Sequence, residues 1–219
     1  LVGKHFAGAI QNLASPGVFF HRLLSGGTGD RFALYGFSSR RRSHVRFHTL
    51  KAFDEAYSAT VRGRIRAARP GYYTRMGAAV RYAGQLLERE ASSHKLLLML
   101  TDGKPNDIDH YEGLHGIEDS AMAVREARRA GLAVHGIIID ADGQDWFARI
   151  FARGGFSLLP DPDFLFLGDQ HRAAQQVGGA RHVLHLQLAR RDARGEPVHT
   201  AVVGTHRNRR GGVGDQLHP

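Results

Sequence analysis

The stretch "LLLMLTDGKPNDID", residues 96–109, decides how the chain is read. Its apolar residues, Leu96 to Leu100, run without interruption into Thr101-Asp102-Gly103. A short continuous apolar run of this kind marks a strand buried on both faces, the usual state of a strand in a parallel sheet. Such a strand delivers the residues that follow it to the carboxyl edge of the sheet, where open α/β sheets bind their ligands. Thr101, Asp102 and Gly103 therefore stand where this architecture puts its chemistry.

The neighbours of that strand alternate in type. "RFALYGFSS" (31–39) reads as a strand with alternation at Phe32, Leu34 and Gly36, and "HVRFHTL" (44–50) as its hairpin partner across a polar turn. "AFDEAYSATVRGRIRAA" (52–68) predicts a modest helix closed by Pro70-Gly71. "TRMGAAVRYAGQLLEREASS" (74–93) predicts a strong one, with Met76, Val80, Ala83 and Leu87 at helical spacing and Arg81, Gln85 and Glu88 facing away. After the central strand come a helix at 117–133 stopped by Gly131, a buried strand "AVHGIIID" (133–140), a short helix "QDWFARIFARGG" (144–155) and an edge strand "FSLLPD" (156–161). Strand-helix-strand alternation demands right-handed crossovers, hence a doubly wound α/β fold, Rossmann-like, with a mostly parallel sheet and helices on both faces. Asp140 ends a strand as Asp102 does, and is a candidate for the same rim.

Hard divalent cations take oxygen ligands. Asp102 offers a carboxylate, and Thr74, at the head of the strong helix, a hydroxyl that is either a helix cap or a ligand. An apolar strand ending "TDG", preceded by a helix opening "TRMGAA", is more specific than either alone. Together with "DRFALYGFSS", "VRFHTLKAFDEAY" and "IIIDADGQDWFARIFARGGF", these segments resemble a von Willebrand factor A domain, and within that family the carboxy-terminal domain of NorD- and CbbO-type activation proteins. The resemblance covers roughly residues 29–163. It implies a metal-ion-dependent adhesion site with Thr74 and Asp102 as ligands, Thr101, Gly103 and Asp140 at its rim, and Mg2+ or another divalent cation. It also implies a cytoplasmic protein-binding adaptor, not an enzyme. The adaptor would work with a MoxR-type AAA+ ATPase to activate a target enzyme, nitric oxide reductase or Rubisco. The family's DxSxS loop, expected after a first strand ahead of "RFALYGF", is absent: no Asp precedes Asp30. The first strand is unrecognisable, and the alternatives are a truncated, non-functional copy with frame-shifted ends or a magnesium-dependent enzyme of doubly wound fold.

Composition bounds the remainder. The 219 residues carry 30 Lys plus Arg against 21 Asp plus Glu, a formal charge of +9, and no Cys, which excludes disulfides and thiolate metal sites. No apolar run reaches the 18 or so residues of a spanning helix. No RNP motif, zinc knuckle or zipper accompanies the basic excess, so no nucleic-acid partner is expected. Three zones follow: an irregular segment 1–28, the von Willebrand A-like domain 29–164, and a basic segment 165–219 expected to be disordered. "SGGTGDR" (25–31) lacks the GK[ST] of a phosphate loop, and "DADGQD" (140–145) lacks the closing Glu of a calcium loop. His182 and His185 lack a third zinc ligand; Trp146, Phe147, Ile150 and Phe151 read as core. No GxSxG or HExxH motif is present.

Overall fold

A computed structural model describes residues 31–68, 72–101, 104–138, 144–158 and 198–204. The elements, in chain order, are β1 (Arg31–Ser39), β2 (Val45–Lys51), α1 (Ala59–Ala67), α2 (Met76–Glu88), β3 (His94–Thr101), α3 (Gly113–Arg129), β4 (Ala133–Ile138), α4 (Gln144–Phe151), β5 (Phe156–Leu158) and β6 (Val198–Gly204). They build one six-stranded sheet in the order β2-β1-β6-β3-β4-β5. Only the β1–β2 hairpin is antiparallel; β1–β6, β6–β3, β3–β4 and β4–β5 all run parallel. This is the doubly wound α/β architecture that the alternation predicts, with β5 at the predicted edge.

The inner strands feed two apolar layers. On one face Phe32 and Leu34 of β1 and Leu96 and Leu98 of β3 pack with Val61 and Ile65 of α1. On the other, Ala33, Tyr35, Phe37, Leu97 and Met99 meet the buried stripe of α2 together with residues of α3 and α4. The predicted stripe is realised in full: Met76, Val80, Ala83 and Leu87 are completely buried. Each large member of it contributes on the order of 2 kcal/mol through area removed from water. Trp146, Phe147, Ile150 and Phe151 are core as expected.

Four details differ from the sequence reading. β1 does not alternate between a buried and a solvated face, because helices cover both sides of it; Phe32 to Tyr35 are buried in succession. α1 begins only at Ala59, since Ser58 adopts an extended conformation and its hydroxyl accepts from the Val61 amide, which caps the helix there. Ahead of it, Glu55 reaches forward to Arg64 and holds the turn. α3 starts at Gly113, four residues earlier than predicted, because the one large apolar residue of its first turn, Leu114, is 61% exposed and falls off the buried stripe. Lastly, β6 lies in the stretch read as patternless, yet pairs with β1 on one side and β3 on the other.

A buried imidazole is built into this sheet. His135 on β4 is 1% exposed, with Nε2 3.0 Å from Ser157 Oγ on β5. Burial, and then the nearby Arg128 charge, depress its pKa to about 4. An unfolded imidazole titrates near 6.5, so between these values the unfolded chain binds the extra proton and acid favours unfolding. We expect the stability contributed by neutral His135 to be complete above pH 6.5 and to be lost as pH falls toward 4, by up to ~3 kcal/mol. Urea unfolding at pH 7 and pH 5 checks this: the pH slope should shrink in His135→Gln.

Candidate functional site

Because β1, β6, β3 and β4 are parallel, their ends at Ser39, Gly204, Thr101 and Ile138 lie along one edge. Two isolated antiparallel bridges bring the segment ahead of α2 to that edge, Ser39 to Tyr73 and Thr74 to Asn106. Each is a reciprocal pair. Ser39 N donates to Tyr73 O at 2.9 Å and Tyr73 N to Ser39 O at 3.0 Å; Thr74 N donates to Asn106 O at 2.9 Å and Asn106 N to Thr74 O at 3.0 Å. Thr74 is thereby held beside the loop that follows Asp102, four positions before Asn106 in the chain. Asp102, Gly103 and Asp140 lie outside the described residues, as do Asp142, His182 and His185. Thr101 closes β3 fully buried, and Thr74 is 2% exposed.

Thr74 is not the cap of α2. The N-cap position is Arg75, whose side chain makes no capping bond. The first-turn amides find other acceptors: Arg75 N donates to Ser39 Oγ at 3.1 Å, and Gly77 N to the Tyr111 hydroxyl at 3.2 Å. Two oxygen-bearing residues missed in the sequence join the edge. Ser39 is 1% exposed, and the Asn106 amide oxygen is buried with no hydrogen-bond partner among the described residues. A buried polar atom without a partner is costly and marks a place to ask what it serves. A strand ending in Ser38-Ser39 and an Asn four residues after Asp102 were the available signals. The donor set is made of hydroxyl and amide oxygens, the type that magnesium and calcium prefer. Among the described residues, no group of three or more His, Asp or Glu that could hold a metal gathers.

The acidic residues after Asn106 are engaged elsewhere. Asp107, 4% exposed, accepts from the amides of Arg41 and Ile108, each at 2.8 Å, and from Arg75 Nε at 3.3 Å. Asp109 pairs with the same guanidinium and accepts from Arg42 N at 2.7 Å. Burial raises the Asp109 pKa, but the Arg42 amide bond and the Arg75 charge outweigh it and hold the carboxyl below its usual range. Arg75 lies 4.1 Å from the centre of the Tyr111 ring. The Tyr111 hydroxyl donates to Asp119 Oδ2 at 2.5 Å; burial, then this carboxylate, push its pKa up.

Residues 8–161 match the family described as von Willebrand factor type A domain. The chain belongs to that family. The match begins upstream of β1, and β6 comes from beyond its end. An uncharacterized protein of Pseudomonas aeruginosa is 55% identical over 131 residues, 60% of this chain and 21% of that protein. Protein NorD of Stutzerimonas stutzeri is 53% identical over 134 residues, 61% of this chain and 22% of its own length. Protein NorD of Brucella abortus is 49% identical over 131 residues, again 60% and 21%. The chain thus spans about a fifth of the length of the curated relatives it matches. No solved structure shows a significant match.

Within this von Willebrand A domain, Gly77 is the point where α2 meets the Tyr111–Asp119 pair. A Cβ there would overlap Asp119 Oδ2, whereas one at Gly84 in the same helix would meet Leu132 Cδ1 at an ordinary 3.5 Å. Gly77→Ala is expected to destabilise by about 1–3 kcal/mol through overpacking. Gly84→Ala should be neutral or stabilising by up to ~1 kcal/mol, from helix propensity. Chemical denaturation of the two variants side by side measures the difference.

Proposed function

We propose that this von Willebrand A domain is a cation-dependent protein-binding module of a NorD-like activator, acting beside a MoxR-type AAA+ ATPase on a target enzyme, nitric oxide reductase or Rubisco. The observation that carries the reading is the pair of bridges that set Thr74 next to the loop following Asp102, with Ser39 and the Asn106 amide oxygen, which has no partner among the described residues, alongside. Relatives named NorD at about half identity favour the activator class. Catalysis is not part of the proposal. The sequence has no phosphate-binding loop, so ATP hydrolysis falls to the partner.

Thr74 and Asp102 would hold the cation, with Ser39 and Asn106 as further oxygen donors. When bound, a divalent ion supplies an open position for a carboxylate of the partner. The chain's own residues do the rest. The two bridges orient Thr74, burial of Thr74 and Ser39 excludes bulk water, and Arg75 draws Asp107 and Asp109 away from competing for the ion.

The test is thermal melting of the 219-residue chain with and without 10 mM MgCl2. A cation at ten times its Kd adds about 1.4 kcal/mol, a shift of roughly 3–6 °C in a domain of this size. The shift should vanish in Thr74→Val and in Asp102→Ala. No shift in the parent chain, or the same shift in both variants, would remove the cation from the proposal. Co-precipitation with a MoxR-type ATPase then tests the partner.

A further inference from the structure

The turn between β1 and β2 carries Arg40, Arg41, Arg42 and, just beyond it, Arg46, all exposed. An open cavity of about 340 Å³ lies there, walled by Arg40, Arg41, His44, Arg46 and Tyr72, and lined also by Ser39 of the edge described above. Several other arginines of the described residues spend their charge on a neighbouring carboxylate. Arg75 pairs with Asp107 and Asp109, Arg81 with Asp119 and Glu126, and Arg149 with Glu118. Among the described residues, the four guanidinium groups of the hairpin tip make no ion pair; Arg40 rests 5.8 Å from the centre of the Tyr72 ring.

Asp107 and Asp109 bond the backbone of the turn and pair with Arg75, not with the guanidinium groups of the turn. Asp107 takes the Arg41 amide and Asp109 the Arg42 amide, so the turn is held rigid from below while its charged heads stay unpaired. Arg41 sits at φ 68°, in the left-handed region that favours glycine or asparagine. A turn selected for stability alone has no use for an arginine there. A guanidinium without an ion pair, held in strained backbone next to two more around one cavity, points to a ligand.

We propose that the hairpin tip is a docking surface for an acidic segment of a partner protein, with Arg40, Arg41 and Arg46 engaging its carboxylates. Guanidinium groups suit this because they offer fixed, paired donors to a carboxylate. The size and spread of the feature select a peptide over a nucleic acid. The arginines crowd into seven positions of the hairpin tip, the cavity has room for a side chain or two, and among the described residues Tyr72 is its one large aromatic wall. A nucleic-acid surface needs a longer basic track with several stacking platforms. This inference does not rest on the cation proposal, although Ser39 borders both features.

The experiment uses fluorescence anisotropy of a labelled octaglutamate peptide with the 219-residue chain, in EDTA and in MgCl2, at low and moderate salt. The double variant Arg41→Gly/Arg46→Gln should weaken binding tenfold or more, in EDTA as in MgCl2. Glycine at 41 keeps the amide that Asp107 accepts and relieves the positive φ, so the Arg41→Gly melting temperature should stay within a few degrees of the parent. The control Arg125→Gln/Arg129→Gln removes the same charge from the exposed side of α3 and should change affinity less than twofold. An equal loss in both double variants overturns the proposal, because bulk charge then explains the binding. So does tighter binding of an eight-nucleotide oligo-dT than of octaglutamate, or no measurable octaglutamate binding. Binding that needs MgCl2 and ignores the hairpin variant also overturns it, and leaves the cation proposal standing. Binding that ignores EDTA and fails in the hairpin variant supports the hairpin and counts against the cation.

Discussion

Four backbone hydrogen bonds, the two reciprocal pairs at Ser39–Tyr73 and Thr74–Asn106, are the constraint on which the edge of this sheet depends. A loop between two helices has many ways to cross a sheet edge, and ordering it costs about 1–2 kcal/mol per residue. Here the crossing is pinned on both sides, to the end of β1 and to the loop after β3. Burial of Met76 and Val80 anchors the helix that follows. The backbone of Thr74 is therefore placed at this edge by pairing on both sides. That is the kind of support under which a side chain can be given over to a ligand.

The same edge shows a division of charge. Arg75, next to Thr74, meets two carboxylates, and both of those also bond the backbone of the β1–β2 turn. One guanidinium against two carboxylates would leave negative charge over. The amides of Arg41, Arg42 and Ile108 satisfy the remaining carboxylate lone pairs with charge-assisted bonds. Among the described residues, neither carboxylate pairs with the arginine heads of the turn. The positive surface of the hairpin follows from how the acidic residues are used, more than from the overall excess of base.

What the sequence disclosed, and what it withheld, divides by range. The 3.6-residue stripe of α2 and the apolar run of β3 are local signals, and both appear in the structure at the predicted residues. Thr74 stood out because it opens that stripe. Ser39 and Asn106 did not, since their meaning comes from partners 34 and 32 positions away, Tyr73 and Thr74 (73 − 39 and 106 − 74), and no periodicity encodes such pairing. Covering helices turned β1 from an apparent alternating strand into one buried on both faces. β6 was illegible for a related reason. Its seven residues are short, and the strands on either side of it, β1 and β3, lie 159 and 97 residues upstream (198 − 39 and 198 − 101).

The two proposed ways of holding an acidic side chain, physically different, would meet near Ser39. A divalent ion set in buried oxygens binds through ligand number and geometry, and is removed by chelation rather than by salt. Exposed guanidinium groups bind through charge and paired hydrogen bonds, and their attraction is screened over about 10 Å at 0.1 M salt. The first is selective for one carboxylate at one point; the second recruits a run of them. With the DxSxS loop not recognisable in the sequence, the oxygen set by itself supplies few charged ligands, and a hard cation held mostly by neutral oxygens is held weakly. An arginine-rich turn beside it would raise the local concentration of an acidic partner, so that even a weak ion site could be engaged.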